Sequence, residues 1–386
     1  MNGMKKLYSK RLGEIEDKCF QSALEKFGLG DLVSAEPIPY GLFGQNVYLT
    51  STKGQFVFRG CPGSLEIKNE RFIAERLHEE TKAPAPWPYQ LDESSEIFGW
   101  PYVIMPRMPG LPLESRDVQA SLTDDDRIGI ATAMGVLLRE MQKLRYPWCG
   151  LYDVEGGMVA PLDATYTPPW EKKKPPEKPD LSIDSVAASK ANFQPWLLSR
   201  IRWYVHQAVE SNDASNGRVT TAGDLKWVET MIQNNKDALL EPFQPCFVMD
   251  DFKEGNTVVT KMEGAWKVTG VFDFGTAYFG DGEADLSRIL LLYGIANTGM
   301  DGYAHALLRT QAFLKTYFHG DTAETIRPGF LERAMLYFLM DRAVFWYCGR
   351  KLGNYDKFPG LRAWCEPQLH AIHSSLGGIV QNILKR

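Results

Sequence analysis

The 386-residue chain sets 43 Lys and Arg against 48 Asp and Glu, a net charge of −5 with pI about 5.8. That balance argues against a nucleic-acid footprint, and a length beyond one hydrophobic core predicts two lobes or domains. With 44% hydrophobic and 24% charged residues the composition is that of a soluble globular protein. No apolar run approaches the ~20 residues of a membrane helix. The basic stretch from Met1 to Arg11 leads into no signal-peptide core. The six cysteines lie far apart without a CxxC pair, and the histidines show no metal-ligand spacing. A reduced, cytoplasmic protein without a structural zinc site is expected.

In chain order, Leu12, Ile15, Cys19, Ala23, Leu24 and Phe27 have helical spacing that stops at Gly28 and Gly30. Residues 46–50 and 55–59 read as short strands separated by the turn-forming Ser51 to Gly54. A helix follows from about Glu66 to Glu80, closed by the proline-rich 84–88. Residues 100–105 read as another strand. The proline- and glycine-rich 106–112 is expected to be a connector and the domain boundary, giving an N-terminal lobe over 1–107 and a C-terminal lobe over 108–386.

Beyond it the pattern is helical. Thr123 with Asp126 forms a capping box ahead of an apolar face at Ile130, Met134, Leu137, Leu138 and Met141. Residues 168–180, with five prolines and four lysines, predict a mobile loop. Helical stretches are expected near 195–210 and 224–240 and from Leu286 onward, while 146–245 carries no motif.

Chemistry concentrates in 246–285. Apolar runs at 246–249 and 257–259 frame a polar loop with Asp251 and Asn256. After a hairpin turn near Glu263 and Gly264, a strand over 266–272 delivers Asp273, Phe274 and Gly275. An Asp, an Asn five residues later and an Asp on the next strand suit phosphoryl transfer. One carboxylate orients the attacking hydroxyl, and hard oxygen ligands hold Mg²⁺ against phosphates. Spacing to Asn256 favours Asp251 over Asp250, which is expected to face solvent or cap the turn. Upstream, Glu70 shares a helix face with Ile73, Ala74 and Leu77. A carboxylate on an apolar stripe needs a partner, and Arg59 at the end of strand 55–59 is the candidate.

The order D-x4-N, hairpin, D-F-G, followed by G-D-G-E-A-D-L over 280–286, resembles the aminoglycoside and hygromycin phosphotransferase branch of the protein-kinase-like superfamily. The resemblance covers roughly residues 35–345. It implies an α+β, two-lobed protein-kinase-like fold, with a small N-lobe of five antiparallel strands and one key helix before a larger, mainly helical C-lobe. It places Asp251 on the catalytic position and Asn256 and Asp273 on the metal positions. Asp285 falls on an acidic position that the family uses structurally. Met249 and Asp250 stand where the family has His and Gly, two departures. Arg59 and Glu70 fall on the phosphate-contacting ion pair, with Arg in place of the usual Lys.

Gly44 and Asn46 lie in the segment matching the nucleotide-covering loop. Met105 and Arg107 lie in the one matching the hinge that binds the purine. The implied activity transfers the γ-phosphoryl of ATP or GTP, with Mg²⁺, to a hydroxyl of a sugar, aminocyclitol, antibiotic or small metabolite. Phe345, Trp346 and Tyr347 read as core, with a substrate platform as the other reading. Asp341 beside them is a candidate to receive a substrate ammonium group, with a salt bridge to Arg342 or Arg333 as the other reading. The alternative function, favoured by Met249 and Arg59, is a pseudokinase that binds nucleotide or acts as a scaffold without transfer.

Overall fold

The computed structural model of the chain describes residues 15–38, 45–60, 64–168, 183–210, 220–318, 326–352 and 358–384. The first elements are α1 (Asp17–Lys26), β1 (Leu32–Pro37), β2 (Gln45–Ser51), β3 (Gly54–Gly60), α2 (Ser64–Glu80), β4 (Gln90–Asp92), β5 (Tyr102–Pro106), β6 (Leu111–Pro112) and α3 (Arg116–Ser121). Next come α4 (Asp124–Met141), β7 (Gly150–Asp153), β8 (Met158–Pro161), α5 (Ile183–Glu210), α6 (Ala222–Asn235) and β9 (Cys246–Val248). The remainder holds β10 (Thr257–Met262), β11 (Ala265–Val271), β12 (Tyr278–Gly280), α7 (Leu286–Tyr293), α8 (Tyr303–Phe318), α9 (Phe330–Leu352) and α10 (Leu361–Leu384). They fall into two compact units, Met1–Leu122 with Glu254–Ala277, and Thr123–Lys253 with Tyr278–Arg386.

The first unit is built on an antiparallel sheet of order β1-β2-β3-β5-β4, the five strands expected. Side chains alternate across a strand. One face therefore collects Val47, Leu49, Phe58, Tyr102 and Ile104, which bury against Phe20, Ala23 and Leu24 of α1. Phe20 meets Phe58 edge to face at 5.1 Å. Each such buried side chain contributes about 1.5–3 kcal/mol, so α1 is held by packing rather than by propensity. Arg59 has the opposite parity to Phe58 and sits in register with Asn46 and Val103.

A second sheet, β11-β10-β6, lies in the same unit. Here the expected connector proves partly ordered, because Leu111 and Pro112 pair with Val259 and Val258. Thr269 adds an Oγ1 hydrogen bond to the Pro109 carbonyl at 2.5 Å. The proline-rich composition hid a strand that makes only edge contacts. Glu263 (φ 51°) and Gly264 (φ 81°) are both left-handed, so the β10–β11 turn follows the strand twist.

In the second unit the Thr123–Asp126 capping box forms as expected. The expected start near residue 195 is corrected: α5 begins at Ile183 and runs through Pro195. A proline reads as a helix start, but burial of Phe193, Trp196, Leu197 and Ile201 carries this helix past it. The stretch without motifs contains the β7–β8 hairpin, part of a sheet of order β8-β7-β12-β9. Residues 169–180 of the proposed mobile loop lie outside the described residues. Segment 280–286 is a buried ionic knot. Arg327 pairs with Asp281 at 2.6 Å and Glu283 at 2.9 Å, Arg333 holds Glu283 at 2.8 Å, and Tyr337 donates to Asp281 at 2.8 Å. Among the described residues no helix is long and apolar enough to cross a membrane.

Helices α4 and α8 pack closely at Gly135, where an added Cβ would stand 2.6 Å from the Phe313 carbonyl oxygen. Helix propensity alone would favour Ala there by up to about 1 kcal/mol. A backbone clash costs about 1–3 kcal/mol and should dominate. Gly135→Ala is therefore expected to lower the denaturant midpoint, and a raised midpoint would show that the two helices separate freely.

Candidate active site

The catalytic candidate lies on a loop that leaves β9 after the buried Phe247 and Val248. Asp285, itself buried, accepts the backbone N–H of Met249 on Oδ2 and that of Asp250 on Oδ1, each at 2.8 Å. These bonds hold the loop where Asp250 adopts a left-handed conformation (φ 67°). Burial pushes the Asp285 carboxyl up to about 7, against the two N–H donors that favour its ionised form.

The expectation that Asp250 faces solvent or caps the turn is corrected. Its carboxylate forms a bidentate pair with Arg200 at 2.9 and 2.5 Å. Arg200 is buried over the rings of Tyr166, Trp196 and Tyr278, and an enclosed guanidinium needs a counter-charge. Asp251 points elsewhere. Lys253 Nζ lies 2.8 Å from its Oδ2, and Arg288 Nη1 contacts its Oδ1.

Asp341 on α9 is buried, with Arg288 Nε at 2.7 Å and Arg342 Nη2 at 2.6 Å. Burial pushes its carboxyl up, but the two guanidinium groups outweigh this and hold it below the ordinary range. Of the two readings from sequence, the ion pair is the one found, to Arg342 and Arg288, since Arg333 is taken by Glu283. Arg288 and Arg342 also lie over Phe345, 4.6 and 5.0 Å from its centroid. Trp346 is core, donating to Thr220 Oγ1 at 3.0 Å.

The metal candidates sit in the first unit. Thr257 pairs with Val271, and the Phe272 N–H donates to the Asn256 carbonyl at 3.1 Å. The hairpin thus brings Asn256 and Asp273 to its same end. Asn256 is buried, and Asp273 is left-handed (φ 77°). Arg59 Nη1 lies 2.9 Å from Glu70 Oε1 and 3.3 Å from Asp273 Oδ1. Glu70 is fully buried whereas the Asp273 side chain is 40% exposed, so the Glu70 contact carries most of the ionic stabilisation. Asn69 on α2 donates to the Gly275 carbonyl at 2.9 Å and fixes the segment after Asp273.

Asn46 neighbours Arg59 across β2–β3. Met105 is buried in β5, and Arg107 lies over the Tyr48 ring at 3.9 Å while its N–H donates to Gln55 O at 3.0 Å. Gly44 lies outside the described residues.

Sequence reasoning missed Arg200, Arg288, Lys253 and Tyr89. Lys253 could have been found from its place two residues after Asp251. The arginines carry no local signal, since they lie 50 and 37 residues from their partners. Tyr89 is buried near Glu70, Arg59 and Asp273, and burial pushes its hydroxyl far above the usual range.

Two outcomes follow. Arg59→Met removes the guanidinium beside the buried Glu70 carboxylate and should destabilise by about 3–5 kcal/mol. Glu70→Gln should be non-additive with it by roughly 0.5–3 kcal/mol, and strictly additive changes in a double-mutant cycle would separate the two residues. Asp285 has a folded-state pKa raised from 3.8 to about 7. Its contribution to stability is therefore full below pH 3.8 and lost as pH rises through about 7. Carboxyl-carbon NMR should show Asp285 titrating near 7, and a midpoint in the ordinary carboxylate range would contradict this.

Solved structures with this fold include aminoglycoside phosphotransferases. A thermostable mutant of APH(4)-Ia in ternary complex with AMP-PNP and hygromycin B matches with TM-score 0.57 and 16% identity, over 94% of this chain and 98% of that one. The apo form of a thermostable APH(4)-Ia mutant matches at 0.54 and 16%, over 94% and 100%. The GDP and kanamycin complex of APH(2")-IIIa matches at 0.54 and 14%, over 94% and 99%. At these identities the likeness establishes the protein-kinase-like fold. No curated protein sequence is significantly similar to the chain. The model of the phosphotransferase enzyme family matches residues 34–324, well over half of the sequence, and the chain belongs to that family.

Proposed function

We propose that the chain is a small-molecule kinase that transfers the γ-phosphoryl of ATP or GTP to a hydroxyl group. The observation that carries this reading is the end of the β10–β11 hairpin. Asn256 and Asp273 both lie there, with Asp273 beside an arginine fixed by Glu70.

In the reaction the acceptor oxygen bonds to the γ-phosphorus and the bond to the leaving nucleoside diphosphate breaks. Asp251 orients the hydroxyl and takes its proton. Arg59, held by Glu70, neutralises the α/β-phosphates. Asn46 and Gly44 border the phosphates, and the backbone from Met105 to Arg107 receives the purine. Both nucleotide types have support, since neighbours hold AMP-PNP and GDP.

Asn256 and Asp273 fit Mg²⁺. They offer hard oxygen donors, the kind this ion prefers. When bound, the ion would neutralise charge on the phosphates. Cysteines 19, 149, 246, 348 and 365 are free, which is compatible with a reducing, cytoplasmic setting.

A second reading, nucleotide binding without transfer, draws on the two cations paired with Asp251 and on Met249. Radiolabel transfer from the γ-phosphate separates the two. Asp251→Asn should keep nucleotide binding and lower turnover by ~10²–10⁴. Loss of turnover in Asp250→Asn with an active Asp251→Asn would move the assignment by one residue.

A further inference from the structure

The charges around Asp251 bear on the acceptor, in a step that rests on the kinase reading above. Four carboxylates of this unit cluster there, and three are committed internally. Asp250 is forked by Arg200, Asp341 is enclosed between Arg288 and Arg342, and Asp285 is occupied by two backbone N–H groups. Asp250 and Asp251 are similarly exposed, at 19% and 20%, but the Arg200 partner of Asp250 is buried, whereas Asp251 faces the more open Lys253 and Arg288.

Those two cations are themselves reachable, at 28% and 15% exposure. Arg288 is fixed rather than free to swing. Its Nε is bound to Asp341, its Nη1 to Asp251, and its plane lies over Phe345. Its Nη2 makes no hydrogen bond among the described residues, which leaves one donor of a positioned guanidinium for a ligand. The cluster sets four cations (Arg200, Lys253, Arg288, Arg342) against three ion-paired aspartates and a buried fourth. An ammonium group brought to Asp251 would meet two like charges in a half-buried, weakly screened place, and both carboxylates it could use are already paired with Arg288. An anionic group would instead meet a preset guanidinium and an ammonium, the pairing that binds carboxylate and phosphate best.

We propose that the acceptor is a hydroxyl compound bearing an acid group, carboxylate or phosphate, near the reacting hydroxyl, and that Arg288 with Lys253 selects it over amino-bearing acceptors. Arg288 acts here as a specificity residue and as the positioner of the Asp251 carboxylate.

The test uses the full chain with Mg²⁺ and ATP or GTP. Panels of hydroxycarboxylates, sugar phosphates, neutral sugars and aminoglycosides such as kanamycin are read by label transfer and by the rise in melting temperature over nucleotide alone. Members of an acid panel should accept label and raise the melting temperature, and aminoglycosides should do neither. The two acid panels distinguish carboxylate from phosphate. Arg288→Gln should lower kcat/KM for the acid acceptor roughly tenfold or more, the scale of one charge-assisted hydrogen bond, with a smaller loss for its neutral analogue. Arg288→Lys should recover part of it. Higher kcat/KM for an aminoglycoside or a neutral sugar than for every acid overturns the proposal, as does the failure of all acids to bind. The nucleotide-alone rise is a separate control, since its absence counts against the kinase reading itself.

Discussion

The arrangement depends on one buried carboxylate. Asp285 gives one oxygen to each of two successive backbone N–H groups, those of Met249 and Asp250. An unpaired N–H in this interior would cost about 1–3 kcal/mol, so the two bonds over-determine the loop. They hold Asp250 in a left-handed conformation, which Asp adopts more readily than most residues with a Cβ but still at a cost that its surroundings must offset. Once Asp250 is turned, its side chain lies against Arg200 and the next residue, Asp251, is presented to Lys253 and Arg288.

The same logic recurs in the other unit. Arg59 is shared between the fully buried Glu70 and the half-exposed Asp273, and Asp273 too is left-handed. Register in the β10–β11 hairpin fixes Asn256 at the same end as Asp273, and the Glu263–Gly264 turn fixes that register. Strained aspartates thus stand next to or at both proposed chemical positions, each held by a charge partner rather than by apolar packing. Such a design suits groups that must meet phosphate without rearranging. The ionic knot of Asp281, Glu283, Arg327 and Arg333 serves a different end. It locks the segment between β12 and α7, where Asp285 stands.

Much of this was legible in the sequence, because local signals carried it. The alternation of 46–50 and 55–59, the apolar stripe around Glu70 and the D-x4-N, hairpin, D-F-G order each lie within a few residues. The Glu70 partner could be named because a carboxylate on an apolar stripe demands one and Arg59 closes the preceding strand. What was not legible is non-local. Arg200 and Arg288 reach Asp250 and Asp251 from helices that carry no mark of the loop they serve. For Asp341 the sequence leaves the substrate and ion-pair readings open, because nothing near it reveals Arg288. The strand β6 was masked by prolines, and α5 by Pro195, where tertiary burial overrode the local preference.

The proposed binding of a magnesium-bound nucleotide by Asn256 and Asp273 underlies the kinase function. It is tested most directly by calorimetric titration of ATP and GTP into the wild-type chain and Asp273→Ala, with and without Mg²⁺. The account predicts tighter binding with Mg²⁺ in the wild type and loss of that magnesium-dependent gain in Asp273→Ala, with metal-free binding little changed. Equal affinity with and without the ion in the wild type would contradict it.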